Sequence, residues 1–94
     1  MNNYETIFVM KDDITEEQRN AVVDTIRQYL NENAKISNEE DIGKRKLAYD
    51  IRKYQYAYYY IIYFNGKASV IPELERNYRT NEDILKHIVV KLDD

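Results

Sequence analysis

Groups able to do covalent chemistry are few in this chain. It has one histidine, His87, two serines, Ser37 and Ser69, and no cysteine. A nucleophile needs a base beside it and a further group to orient that base. Neither serine has an evident partner, and His87 stands in "ILKHIVVKL", where a lone imidazole reads as an ordinary sheet residue. A metal site needs several converging ligands. Glu39, Glu40 and Asp41 are acidic neighbours without the spaced oxygens and glycine turn of a calcium loop, so they read as a solvated strand end. The expectation is a protein that is not an enzyme and holds no metal or cofactor.

Binding chemistry is concentrated in one place. "GKRKLAYDIRK", Gly43 to Lys53, carries Lys44, Arg45, Lys46, Arg52 and Lys53 against the single acid Asp50, although the formal net charge is −3. From Gly43 to Lys67 six basic residues meet one acid, and the rest of the chain holds eight basic residues and sixteen acids. The acidic balance argues against a general polyanion binder, yet a molecule polarised in this way can turn one region toward phosphate. The bland alternative is a solvated charged hairpin. Arg76 and Arg79 form a second basic pair, either phosphate ligands or neutralisers of a helix C-terminus.

The elements that must position these charges follow from periodicity. "YETIFVM", Tyr4 to Met10, is a β-branched and aromatic run and reads as a first strand. Thr15 and Gln18 have capping-box spacing, Glu16 and Glu17 suit the positive end of a helix dipole, and Val22, Val23, Ile26, Tyr29 and Leu30 recur at helical intervals until Asn31–Asn33. In "AKISNEEDIGKRKLAYDIRK" strand geometry puts Leu47, Tyr49 and Ile51 on one face, holding the core, and Lys44, Lys46, Ala48, Asp50 and Arg52 on the other. Gly43 inside that pattern suggests a bulge or a close backbone approach. A polar turn near Arg52 to Gln55 leads into a third strand, "YQYAYYYIIYF". A second helix runs from about Ser69 to Arg79, with Pro72 tolerated in its first turn and Ile71, Leu74 and Tyr78 as its apolar stripe. Ile84 to Leu92 is the last strand.

The order βαββαβ, with right-handed crossovers, predicts an α+β, ferredoxin-like sandwich over residues 1–94: one domain, a four-stranded antiparallel sheet, two helices on one face and the other face open. The start has no basic region followed by a long apolar run, and no eighteen apolar residues stand together, so the reading is a cytoplasmic protein without a membrane segment. The absence of cysteine suits a reducing compartment.

Fold alone decides no function. One reading is a free single-stranded RNA binder of the RRM type, with Tyr56, Tyr58 and Phe8 stacking bases on the open sheet. Tyr56, Ala57 and Tyr58 match the aromatic, small, aromatic centre of that signature, but Tyr54 and Gln55 stand where a basic residue and a glycine belong, and Ile61 replaces the last aromatic.

The other reading rests on a resemblance. Gly43, Lys44, Arg45, Lys46, Leu47, Ala48, Tyr49, Ile51 and Arg52 resemble the signature of the family of bacterial ribosomal protein six of the small subunit. Tyr4 and Glu5, "LERNYR" from Leu74 to Arg79, and Val89, Val90 and Lys91 in the last strand resemble that family in the same order, over nearly the whole chain. Lys46 and Asp50 fall where the family varies, and Ala57 stands where many members have glycine. The resemblance implies a ferredoxin-like fold and no cofactor. It further implies a heterodimer with ribosomal protein eighteen that binds the central domain of the small-subunit (16S) ribosomal RNA. Lys44, Arg45, Lys46, Arg52 and Lys53, then Arg76 and Arg79, are the expected RNA ligands. Contacts of this kind meet phosphates and 2′-hydroxyls and position a protein rather than read sequence.

Overall fold

The computed structural model describes residues 1–92; the acidic pair Asp93 and Asp94 lies outside the described residues. Strands β1 (Asn2–Lys11), β2 (Lys35–Ile51), β3 (Tyr54–Gly66) and β4 (Ile84–Leu92) form one antiparallel sheet in the order β2-β3-β1-β4. Helices α1 (Glu16–Asn33) and α2 (Ile71–Arg79) connect them, α2 entered through a short 3-10 turn at Ala68–Val70. This is the ferredoxin-like arrangement expected from the pattern.

Local chemistry explains the helix boundaries. Thr15 accepts from the Gln18 backbone N–H at 3.1 Å, and the Gln18 side chain accepts from the Thr15 N–H at 2.8 Å, completing the capping box. Pro72 occupies the first turn of α2, where its missing N–H has no intrahelical partner to lose.

The main core is built by period-two alternation meeting helical stripes. Tyr4, Phe8 and Met10 of β1 and Ile62 and Phe64 of β3 pack against Val22, Val23, Ile26 and Leu30 of α1 and Leu74 and Tyr78 of α2. A second, smaller cluster lies on the opposite sheet face, where Leu47 meets Val9, Ala57 and Leu85. Among the described residues no helix is long and apolar enough to span a membrane.

The sheet departs from simple alternation along β2. Its pairing with β3 slips at Ile36/Asn38, at Asp41/Gly43, and between Lys46 and Ile51, where the four residues Leu47–Asp50 stand opposite Gln55 alone. Gly43 sits at the second slip with φ 84°, and a Cβ there would meet nothing nearer than 4.0 Å, so conformation and not space requires the glycine. The bulge at Leu47–Asp50 corrects one expectation. Leu47 is buried and Ile51 half-buried, but Tyr49 is 65% exposed, because the extra residues rotate it out of the alternation.

Candidate nucleic-acid interface

β1 ends at Lys11, paired with Ala57, so from there to the turn β2 and β3 continue as a two-stranded ribbon. Such ribbons twist strongly, and bulges add to the twist. Here the ribbon curls until Leu47 closes over Val9 and Leu85. Its turn is Arg52–Lys53, both in the left-handed region with φ 48° and 72°. Two-residue hairpin turns of this hand match strand twist but favour asparagine and glycine.

All five cations are exposed; Lys44 and Arg45 stand level with Met10 and Lys11, the last two residues of β1, and Lys46, Arg52 and Lys53 lie on the ribbon beyond them. They do not share one face. Lys44 and Lys46 pair across from Tyr58 and Tyr56, and Arg45 pairs with Ala57 on the other side. Arg52 and Lys53 occupy the tip. Arg76 and Arg79 are exposed in the last turn of α2, where they also suit the helix dipole, and Arg76 lies 3.8 Å from Glu73. The chain after α2 enters β4 at Ile84 beside Met10, and the Lys11 N–H donates to the Asp83 carbonyl at 3.0 Å. The topology thus brings the C-terminus of α2, the start of α1 and the basic ribbon to one end of the sheet.

A ladder of tyrosines joins the ribbon to the helix layer. Tyr56, Tyr58 and Tyr60 alternate along the helix-facing side of β3, Tyr54 at the start of the strand packs against the Leu47 cluster, and each of the four meets a charged group. The Tyr54 hydroxyl donates to Asp13 at 2.8 Å, which raises its pKa. Lys44 Nζ lies 5.5 Å from the Tyr56 ring centre and 3.8 Å from Asp12. The Arg19 guanidinium covers Tyr58 at 3.7 Å. Tyr60 donates to Glu39 at 2.6 Å and Arg27 grips the same carboxylate through Nε and Nη2 at 2.8–3.1 Å. Those guanidinium bonds hold the Glu39 pKa below the usual carboxylate range, with Tyr60 assisting and partial burial opposing. Nothing in the local sequence marks Arg19 or Lys86 for such contacts, which depend on tertiary placement. Lys86 reaches within 5.7 Å of the Tyr49 ring from β4, a contact that only the curl of the ribbon creates.

The alternation also corrects the RRM-type reading. Phe8 is fully buried beneath the helices, and Tyr58 lies on the same helix-facing side with Arg19 across it. Tyr56 shares that face, beyond the end of β1. The open face instead bears Ile7, Val9, Ile42, Tyr59, Ile61 and Ile88 around an apolar groove of about 320 Å³, with Val90 also exposed. His87 faces the helices, stacked on Tyr78 at 4.9 Å, and burial pushes its pKa down. It takes the structural place expected of it. Among the described residues no three His, Cys, Asp or Glu side chains converge as metal ligands.

The sequence pattern of the family described as Ribosomal protein S6 matches residues 3–91. The chain belongs to the ribosomal protein S6 family. Relatives include the small ribosomal subunit protein bS6 of Helicobacter acinonychis, 42% identical over 99% of this chain and 66% of that protein. The bS6 protein of Nitratiruptor is 41% identical over 97% of this chain and 72% of its own length. The chain therefore spans about two thirds of the Helicobacter protein. The crystal structure of 30S ribosomal protein S6 from Thermotoga maritima superimposes with a TM-score of 0.93 at 30% identity, covering 97% of this chain and 87% of that one. The S6 resemblance in Gly43–Arg52 thus falls on the stretch of β2 that leads into the curled ribbon and its bulge.

Proposed function

We propose that this S6-family chain is a structural component of the bacterial small ribosomal subunit, cytoplasmic and ribosome-associated, that binds the central domain of 16S ribosomal RNA together with ribosomal protein eighteen. One observation carries the RNA part of this reading: five exposed cations gather at one end of the sheet, Lys44 and Arg45 level with the last two residues of β1 and Lys46, Arg52 and Lys53 beyond it. Lys44, Arg45 and Lys46 stand on strand backbone and meet phosphates without the ordering cost of a loop, and counterions released from the RNA supply much of the affinity. Lys44, Arg45, Lys46, Arg52 and Lys53 are the principal ligands, and Arg76 and Arg79 extend the basic region on the helix layer.

A protein partner is supported by the other face. Ile88 and Val90 are each 42% exposed beside the apolar groove, and acids elsewhere in the chain give it a net negative charge. An exposed apolar sheet face needs cover, and a small basic protein matches the acids that RNA would repel.

The test is to co-express the chain with ribosomal protein eighteen, recover the pair, and measure binding to a central-domain RNA fragment by each protein alone and by both. A one-to-one heterodimer that binds far more tightly than either component is expected. Equal binding by each protein alone would overturn the paired mechanism.

A further inference from the structure

Of the four tyrosines in the ladder, Tyr56 is the one left substantially open to solvent. Tyr54 is tied to Asp13, Tyr58 lies under Arg19, and Tyr60 is bonded to Glu39, whereas Tyr56 is 41% exposed. The reason is topological. Tyr56 stands one residue beyond Ala57, the last β3 residue that pairs with β1, and so beyond the area that the main core covers.

Its neighbours are cations. Lys46 is its direct cross-strand partner, and Lys44, one step back on the same face, holds its ammonium 5.5 Å from the ring centre. An aromatic ring flanked by two ammonium groups has the parts that single-stranded nucleic acid needs: a π-face for a base, and charge for the phosphates on either side. Two acids lie nearby. Asp13 is engaged by Tyr54, and Asp12 is 3.8 Å from Lys44, a loose and half-exposed pair that costs little to open. Tyr49, the other exposed tyrosine, lies over Lys86 of the open sheet face, whose apolar groove suits a protein instead.

We propose that Tyr56, framed by Lys44 and Lys46, stacks an unpaired RNA base at the ribbon end. This rests on the RNA-binding reading above and adds a contact that phosphate neutralisation alone does not require.

The experiment measures binding of the heterodimer to the central-domain RNA fragment across a salt series, with Tyr56→Leu, Tyr56→Phe and Lys46→Gln. Tyr56→Leu should weaken binding about 5- to 150-fold, leave the salt slope unchanged, and leave co-purification with the partner intact. Tyr56→Phe keeps the ring and should bind as wild type. Lys46→Gln should lower the slope by about 0.7 to 0.9. Circular dichroism and thermal melts of each variant guard against misfolding, and Tyr56→Phe remains informative if Tyr56→Leu is unstable. Binding by a folded Tyr56→Leu within twofold of wild type overturns the stacking proposal and leaves the broader reading standing. Loss in Tyr56→Phe equal to that in Tyr56→Leu overturns it in favour of a hydroxyl contact. Loss of partner binding in Tyr56→Leu assigns the ring to the protein interface and also overturns it. If the wild-type pair does not distinguish this RNA from an unrelated one, the broader reading itself fails.

Discussion

The hydroxyls of Thr6 and Tyr78 meet at 2.8 Å in the interior, joining the middle of β1 to α2 with almost no exposure of either residue. Thr6 also lies 3.1 Å from the Ile88 carbonyl, which can only accept. The single Thr6 proton therefore goes to Ile88, and Tyr78 donates to Thr6. Burial pushes the Tyr78 pKa up, so the phenol keeps that proton.

This direction makes the two truncations unequal. Thr6→Val strands a buried phenol and should cost about 1 to 3 kcal/mol, whereas Tyr78→Phe leaves Thr6 bonded to Ile88 and should cost about 0.5 to 1.5 kcal/mol. Urea unfolding of both variants and of the double variant checks the order. A larger loss for Tyr78→Phe than for Thr6→Val would show that the proton runs the other way.

The Arg27–Glu39 pair predicts an acid limb. Glu39 has a folded pKa below its ordinary 4.5, so the folded state binds fewer protons than the unfolded chain in that range. The pair's contribution is complete above pH 4.5 and disappears as pH falls through the lowered value. Glu39→Gln should lose roughly 1 to 2 kcal/mol at pH 7, and its stability curve should converge on that of wild type in acid. Parallel curves from pH 7 to 3 would contradict this.

The turn predicts a conflict between folding and binding. Arg52 and Lys53 both adopt positive φ, which costs a non-glycine residue of order 1 kcal/mol or more. Replacing them with Asn-Gly should raise stability by roughly 1 to 2 kcal/mol and should weaken RNA binding by the heterodimer. Unfolding midpoints and RNA titrations on one protein preparation test both arms. Greater stability with undiminished RNA affinity would remove these two residues from the interface.

Salt provides the broadest check. Changing Lys44, Lys46 and Arg52 together to alanine should lower the salt slope of RNA binding by about 0.7 to 0.9 for each phosphate no longer neutralised. An unaltered slope would mean that these three cations do not meet phosphate in the complex.

Much of the fold was legible because local signals agreed. The Thr15–Gln18 box, Pro72 and the run Ile84–Leu92 each fall where the residues required. The faces of β2 were not legible in the same way. Alternation assigns Tyr49 to the core only if no residue is inserted, and nothing in "LAYDI" says that four residues will stand opposite Gln55. Gly43 did announce its own bulge, because its positive φ favours glycine, whereas Leu47–Asp50 contains no such mark. The cations were legible as a cluster but not as three separate groups, since the division of Lys44 and Lys46 from Arg45 and from the tip depends on register. Tyr56 was visible as an aromatic residue, but its exposure depends on where β1 stops, a tertiary fact.

The irregular pairing of β2 also bears on life before assembly. β2 is a boundary strand of the sheet, and its outer N–H and C=O groups are an invitation to another copy of the chain. Slips at Ile36/Asn38, at Asp41/Gly43 and beyond Lys46 leave no regularly paired run longer than four residues, Asn38–Asp41 and Gly43–Lys46. A second copy docking there would lose register within one such run. The same bulges that curl the ribbon therefore discourage edge-to-edge polymerisation while the chain is still free in solution.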